Sequence, residues 1–273
     1  MRPFKAPGLD GLHAGFYQQF WGDVGNSVCK EVLDIFECGK VPDYLNETFI
    51  TLIPKCQSPE SLNNYRPISL CNSIYKVVSK IIVNRIRPLI GKLVAPVQTA
   101  FVSGRKGIDN VLLAQELFYA LYRKKGNEGY MAIKVDLEKA YDRLEWSFVY
   151  VVLQAFHFPP NLIKVIMSYV TSTRISILFN GGALEPFKPL RGLRQGDPIS
   201  PYLFILCMEF LGHLIEEKCV NGDWVPLKAS QENIGISHLF FADDLILFVK
   251  VEEKACEAIS ELLNKFCEES GQK

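Results

Sequence analysis

Residues 239–248 read Leu-Phe-Phe-Ala-Asp-Asp-Leu-Ile-Leu-Phe, two adjacent aspartates inside an otherwise aliphatic and aromatic run. Such a run is a buried strand, or two short strands meeting at a turn. Two like charges there cost desolvation and mutual repulsion unless a cation or hydrogen bonds offset them. Two readings stay open from this stretch alone. In one, a hairpin carries an acidic tip into water, Asp being a favoured turn residue. In the other, rigid strands hold a carboxylate pair to grip a divalent metal, and another buried aspartate is expected elsewhere.

Asp136 meets that requirement. Met131-Ala132-Ile133-Lys134-Val135-Asp136 reads as a strand ending in an acid, followed by Leu137-Glu138-Lys139-Ala140-Tyr141-Asp142. Taken singly, Asp136 also suits a helix N-cap. Taken with Asp243 and Asp244, it supplies carboxylates from separate strands. In-line phosphoryl or nucleotidyl transfer on two Mg²⁺ ions needs that arrangement.

The 273 residues are 48% hydrophobic and 22% charged, which suits one large domain or two lobes and argues against extensive disorder. No charged and then apolar signal region follows Met1. The greasiest run, Tyr202 to Ile215, is broken by Glu209 and His213 and is too short to span a bilayer. A soluble intracellular protein with no membrane partner is expected. The eight cysteines are scattered, without Cys-x-x-Cys or histidine at metal-ligand spacing, so reduced thiols are expected, and neither zinc nor a disulfide framework is supported. A net charge of zero hides segregation. Residues 1–54 carry four basic and seven acidic side chains, a balance of −3. Residues 55–125 carry twelve and three, a balance of +9, and the remainder fourteen and twenty, a balance of −6. A basic lobe for a polyanion beside an acidic one for metal fits this pattern, as does a merely solvated basic surface.

Lys5 to Gly11 is punctuated by Pro and Gly and reads as a loop. A helix follows, with Val24, Val28, Val32, Ile35 and Phe36 at helical spacing and Gly39 just past its end. Residues 48–54 alternate as a strand. Residues 69–90 give the clearest helix, with Lys76, Lys80 and Arg87 largely off its apolar stripe. Helices are also expected at 108–123, near 145–156 and 160–171, at about 198–218 and at about 252–268. Arg174 to Phe179 and Leu184 to Lys188 flank Asn180-Gly181-Gly182-Ala183 as a hairpin. The stretch Arg191 to Pro201 holds two glycines and two prolines that bend the backbone into a helix start, with Arg191 and Arg194 projecting. Its Gln195-Gly196-Asp197-Pro198 lets backbone approach a flat ligand, and Pro198-Ile199-Ser200-Pro201 directs helix N–H groups towards an anion.

Several blocks, taken together and in order, resemble one family. They are Phe241-Ala242-Asp243-Asp244, Gly192 to Pro201, and Asp136 with Ala140-Tyr141-Asp142. Upstream stand Lys5-Ala6-Pro7-Gly8 with Asp10-Gly11, Ile53-Pro54-Lys55, Tyr65 to Leu70, and Gln98 with Phe101, Gly104 and Arg105. The set is similar to the reverse transcriptases of LINE-type, non-LTR retrotransposons, the plant lineage nearest, across residues 5–271. Leu9 stands where the family more often has Pro.

The resemblance implies an α/β right-hand polymerase fold with fingers, a palm with an antiparallel sheet, and no thumb. Residues 1–48 would be an N-terminal extension, 49–130 mainly fingers and 131–273 mainly palm. It implies RNA-directed DNA synthesis, with an RNA template, a DNA primer, deoxynucleoside triphosphate and two Mg²⁺ ions that Mn²⁺ can replace. Asp136, Asp243 and Asp244 would be the metal ligands. Tyr141 would crowd the sugar 2′ position, Arg66 and Lys55 would contact triphosphate, and Gln195 and Gly196 would line the template and nucleotide pocket. Arg105, Lys76, Lys80 and Arg194 would contact nucleic acid. The family's thumb and endonuclease regions are not in this sequence, so the rival reading is an inactive remnant that at most binds nucleic acid.

Overall fold

The computed structural model describes residues 1–124, 129–228 and 235–273. In chain order the elements are α1 (Ala14–Gln19), α2 (Trp21–Cys38), β1 (Glu47–Pro54), β2 (Tyr65–Cys71), α3 (Ser73–Leu93), α4 (Gly107–Arg123), β3 (Tyr130–Asp136), α5 (Ala140–Arg143) and α6 (Trp146–Ala155). They continue with α7 (Pro160–Thr171), β4 (Arg174–Phe179), β5 (Gly182–Ala183), α8 (Ser200–Val220), β6 (His238–Phe241), β7 (Asp244–Lys250) and α9 (Glu253–Ser270). Two compact units share them. One comprises Met1–Arg85 with Leu153–Ser200, the other Ile86–Val152 with Pro201–Lys273.

The first unit is built on a four-stranded sheet in the order β2-β1-β4-β5. β1 and β2 pair antiparallel from Thr48↔Cys71 to Pro54↔Tyr65, and β4 joins the other edge of β1 in parallel. α2 buries Val28, Val32 and Ile35, and Gly39 ends it in the left-handed conformation (φ 69°), its N–H donating to the Ile35 carbonyl. Two boundaries differ from the sequence expectation. Ser69 and Leu70 belong to β2 rather than to a helix, because pairing with Ile50 and Phe49 satisfies their backbone before the helix begins at Ser73. The second hairpin closes tightly on Asn180-Gly181, both at positive φ, with Leu178↔Ala183 and Phe179↔Gly182 in register. Pro186 has no N–H to donate, so beyond Leu184 the pairing shrinks to a single bridge, Ile175↔Phe187.

The second unit holds a three-stranded antiparallel sheet in the order β3-β7-β6. Its Phe248 and Leu239 pack with Leu117 of α4 and with Leu227, and Trp224 Nε1 donates to the Phe248 carbonyl at 2.9 Å. The first half of α8 is apolar on nearly every side and correspondingly buried, from Leu203 through Met208 to Leu211, and Ile215 continues the buried face. Glu209 interrupts that apolar surface. Burial pushes its carboxyl above the ordinary range, and Oε1 accepts from the Ala95 N–H at 2.9 Å. α9 buries Ala255, Ala258, Ile259, Leu262 and Phe266, and Gly271 caps it at φ 76°. Among the described residues no helix is long and apolar enough to cross a membrane. All eight cysteines are free.

His238 opens β6 with its ring 3% exposed and edge-on to Phe240. Ser237 Oγ lies 2.9 Å from Nδ1, while Nε2 is buried without a hydrogen-bond partner among the described residues. Burial pulls its pKa down to about 4. An unfolded histidine takes its proton near pH 6.5, and the folded one resists to about 4. The stability that neutral His238 contributes is therefore complete above the unfolded pKa and lost as pH falls towards the folded one. Between pH 7 and pH 4 the native chain is expected to lose roughly 3 kcal/mol more than a His238→Gln variant. Urea denaturation of both proteins at the two pH values measures the difference, and parallel losses would refute it.

Candidate active site

The ladder between β3 and β7 sets Asp136 directly opposite Asp244, with Val135↔Leu245 and Lys134↔Ile246 next in register. Directly opposed residues of an antiparallel pair project from one face. β6 returns to β7 with Phe241↔Asp244 as its last pair, so Ala242 and Asp243 form the turn. Ala242 holds φ 55°, a conformation that turns of this kind demand and that L-residues other than Asn and Asp adopt rarely.

The aspartates escape the burial that their neighbours suffer. Leu245, Leu247, Phe248 and Val249 are fully buried, whereas Asp244 is exposed, Asp243 half-buried, and Asp136, expected to be buried, is exposed because it ends its strand. The charges sit where the apolar strands run out, so little desolvation opposes them. Lys134 Nζ lies 3.4 Å from Asp244 Oδ1, an exposed pair that solvent screens. Tyr141, the second residue of α5, stacks on Phe204 of α8 with ring centroids 4.6 Å apart and planes at 14°. Burial, and then the charge of Asp243, push its hydroxyl well above the ordinary tyrosine range.

Among the described residues no group of three or more His, Cys, Asp or Glu side chains gathers into an ion-holding cluster. Opposed carboxylates beside a third at a turn nevertheless offer hard oxygen donors at an open sheet end. Mg²⁺ commonly takes one or two carboxylates and completes its shell with water and substrate phosphate. The donor set fits such an ion.

In the first unit, Arg194 and Asp197 turn inward. Asp197 Oδ2 accepts from the Tyr75 hydroxyl at 2.5 Å, and Oδ1 accepts from Ser79 Oγ at 2.7 Å and the Ile199 N–H at 3.3 Å. The Arg194 guanidinium lies 3.7 Å from Asp197 Oδ2, donates to Thr48 Oγ1 and the Tyr169 carbonyl, and stacks 4.2 Å over the Tyr75 ring. Tyr75 and Tyr169 themselves stack at 3.8 Å. Burial pushes the Asp197 carboxyl up, opposed by Arg194, Ser79 and the Ile199 amide. The side chains of Arg194 and Asp197 are 8% and 2% exposed. Arg194, expected to contact nucleic acid, is an internal clamp of this unit, its guanidinium engaged by Asp197, Thr48, Tyr169 and Tyr75. This network went unread in the sequence. The one available signal was an aspartate between Gly196 and Pro198 at the entry to an apolar helix.

The clamp fixes the loop beside it. The Gln195 carbonyl accepts from the Ser69 N–H at 3.0 Å, and Gly196 stands at φ 100°, where an added Cβ would meet the Ser69 carbonyl at 3.4 Å. Lys55 and Arg66 are exposed at one end of the β1–β2 ladder, where Ile53 pairs Arg66 and the Lys55 N–H donates to the Asn64 carbonyl. Lys55 Nζ also donates to the Asn63 carbonyl. Lys80 is exposed, and Lys76 Nζ reaches the Ala6 carbonyl at 3.3 Å. Arg105, in the second unit, is half-buried. Its guanidinium donates to the carbonyls of Gly91, Val94, Ala95 and Gln98. Lys125 of the basic stretch lies outside the described residues.

Residues 53–273 match the family described as reverse transcriptase (RNA-dependent DNA polymerase). The chain belongs to that family. A Xenopus laevis relative, the transposon TX1 uncharacterized 149 kDa protein, is 30% identical over 243 residues, which is 89% of this chain and 18% of the relative. The Pol polyprotein from the type-2 retrotransposable element R2DM of Drosophila melanogaster is 26% identical over 247 residues, 90% of this chain and 22% of the relative. The chain therefore spans about a fifth of the length of these curated relatives, which are proteins of mobile elements, as the LINE-type resemblance implies. Among solved structures, telomerase from Candida tropicalis is similar with a TM-score of 0.55 at 15% identity, covering 91% of this chain and 43% of the telomerase. That likeness carries the fold, a right-hand polymerase of mixed helices and strands.

Asp197→Ala is expected to destabilise the protein by about 3–5 kcal/mol, since it leaves the Arg194 charge buried without its partner. Asp197→Asn, which keeps an acceptor for Tyr75 and Ser79, costs less. Equilibrium urea denaturation separates the two, and a cost for Asp197→Ala no larger than for the exposed Lys80→Ala would show that the network carries no stability.

Proposed function

We propose that this chain is the polymerase portion of a non-LTR retrotransposon reverse transcriptase, which extends a DNA primer on an RNA template with deoxynucleoside triphosphates. The observation that carries the reading is the pairing of Asp136 with Asp244, next to the turn residue Asp243, in a chain of this family. The unit built on the β3-β7-β6 sheet takes the role of palm, and the unit carrying Lys55 and Arg66 that of fingers. An intracellular, soluble setting belongs to the same reading.

Asp136, Asp243 and Asp244 would hold divalent metal, Mg²⁺ or Mn²⁺ in its place. When bound, two such ions would favour the ionised primer 3′-hydroxyl and offset charge on the phosphates. The protein's own part is positioning rather than covalent chemistry. A primer hydroxyl attacks the α-phosphorus, a new phosphodiester bond forms and pyrophosphate leaves, and holding the reactants in line supplies most of what a side chain can give. Tyr141, stacked on Phe204 and kept uncharged, would act as a wall against a 2′-hydroxyl. Gly196, without a side chain, leaves open backbone for a flat base pair, and Gln195 borders it. Lys55 and Arg66 offer charge to a triphosphate, and Lys76 and Lys80 to the nucleic-acid backbone.

Primer extension by the purified chain tests the reading. Short extension products that depend on added Mg²⁺ or Mn²⁺ and fall to background in Asp243→Asn are expected. Extension that survives Asp243→Asn would overturn the assignment of the carboxylates. Nucleic-acid binding without any Asp243-dependent synthesis would return the chain to the inactive-remnant alternative. In an active preparation, Tyr141→Ala is expected to raise ribonucleotide use relative to deoxyribonucleotide roughly tenfold or more, since it removes the bulk that excludes the extra hydroxyl. Unchanged discrimination would leave Tyr141 as a packing aromatic.

A further inference from the structure

The turn that carries the acidic pair is held from outside its own hairpin. Val97 to Thr99 runs alongside β6, with the Phe240 N–H donating to the Val97 carbonyl at 3.0 Å and the Thr99 N–H to the Phe240 carbonyl at 3.3 Å. Asn110 of α4 ties the two segments together, its Nδ2 donating to the Val97 and Phe240 carbonyls at 2.7 and 2.9 Å. Between them lies Gln98, 1% exposed. Its Oε1 accepts from the Ala242 N–H at 3.1 Å and the Ala100 N–H at 3.0 Å, and its Nε2 donates to the Ala242 carbonyl at 3.4 Å. One side-chain amide therefore serves both backbone groups of the residue before Asp243. The Gln98 carbonyl is in turn held by Arg105 at 2.8 Å, and the same guanidinium takes three further carbonyls.

Ala242 is where such support matters. It is 8% exposed and sits at φ 55°. A residue with a Cβ resists that region, and water does not reach its N–H and C=O to satisfy them. Neither the alanine nor the two-residue turn supplies the missing partners, so a group from elsewhere in the chain must hold the peptide. This peptide leads directly into Asp243, whereas Asp244 is also held by its ladder pairs.

We propose that Gln98 is a positioning residue for the acidic pair: its amide fixes the Ala242 peptide in the left-handed conformation, and Arg105 fixes Gln98 from behind. The assignment rests on the reading of Asp243 and Asp244 as metal-holding carboxylates. It gives a task to the Gln98 and Arg105 positions of the block that resembles the family, which the proposed chemistry leaves without one.

The test uses Gln98→Leu and, should that variant fail to fold, Gln98→Met, each alone and in an Ala242→Gly background. Amide hydrogen exchange reads the turn, and Mn²⁺ titration followed by electron paramagnetic resonance reads the carboxylates, with Asp243→Asn as reference. Removal of the Gln98 amide is expected to speed exchange at Ala242 and Asp243 by roughly tenfold more than at β3 or α8 amides, as the loss of about one hydrogen bond's worth of protection implies. Mn²⁺ affinity is expected to fall by about tenfold, in the range seen when groups supporting metal ligands are removed. In the Ala242→Gly background the fall in affinity shrinks to about threefold or less, because glycine adopts positive φ without support. A uniform change in exchange across the unit, or an affinity loss of equal size in both backgrounds, would reduce Gln98 to an ordinary core hydrogen bond and overturn the proposal. If instead Asp243→Asn retains full Mn²⁺ affinity, the metal reading of the carboxylates fails, and the exchange data still decide whether Gln98 holds the turn.

Discussion

Backbone pairing between β3 and β7 places Asp136 against Asp244 whether or not the two carboxylates attract, and directly opposed like charges repel. The magnitudes explain why the pairing stands. Each of the fully buried Leu245, Leu247, Phe248 and Val249 contributes about 1.5–3 kcal/mol through burial. Two exposed unit charges some 4 Å apart in water cost only about 1 kcal/mol. A strand with so large an apolar surplus can hold an unfavourable pair at its open end, provided the charges themselves stay hydrated. The ladder supplies the geometry, and Lys134 Nζ, 3.4 Å from Asp244 Oδ1, supplies part of the counter-charge.

The two arginines of the loop and helix-end segments do similar work by different means. A planar guanidinium with five donors suits a ring of carbonyls or a carboxylate between two tyrosines better than an ammonium would. Arg105 gathers four carbonyls, and Arg194 joins Asp197, Thr48 and Tyr169. Counting charge along the sequence gives each of them the same weight as the exposed Lys55, Arg66 and Lys80. Arg105 differs from them in that its donors are taken by backbone carbonyls of its own unit.

Local pattern made the strands at 48–54 and 131–136 legible, along with most helices and the acidic hairpin, because period and turn chemistry are properties of a few consecutive residues. The three aspartates were legible for a related reason, as charges out of place in apolar runs. What stayed hidden depends on partners far along the chain. Asp197 meets Tyr75 and Ser79 across 122 and 118 positions, and Gln98 meets Ala242 across 144. No periodicity announces such pairings. Ser69 and Leu70 misled for the opposite reason, since they continue the apolar stripe of α3 while their backbone is claimed by β1.

Each compact unit is assembled from two stretches of chain separated by tens of residues, and this orders events during synthesis. By the time residue 152 has emerged, β1 and β2 are present but β4, which covers the second edge of β1, is not. The same nascent chain has β3 with neither β7 nor β6 to pair with. Open strand edges and half-formed cores of this kind invite association with other chains. Closure of the second sheet must wait for residues 238–250, a long-range pairing that is intrinsically slow. The acidic pair is thus among the last features to be organised, and a chain interrupted before residue 242 carries β3 with neither the turn nor β7 to pair with it.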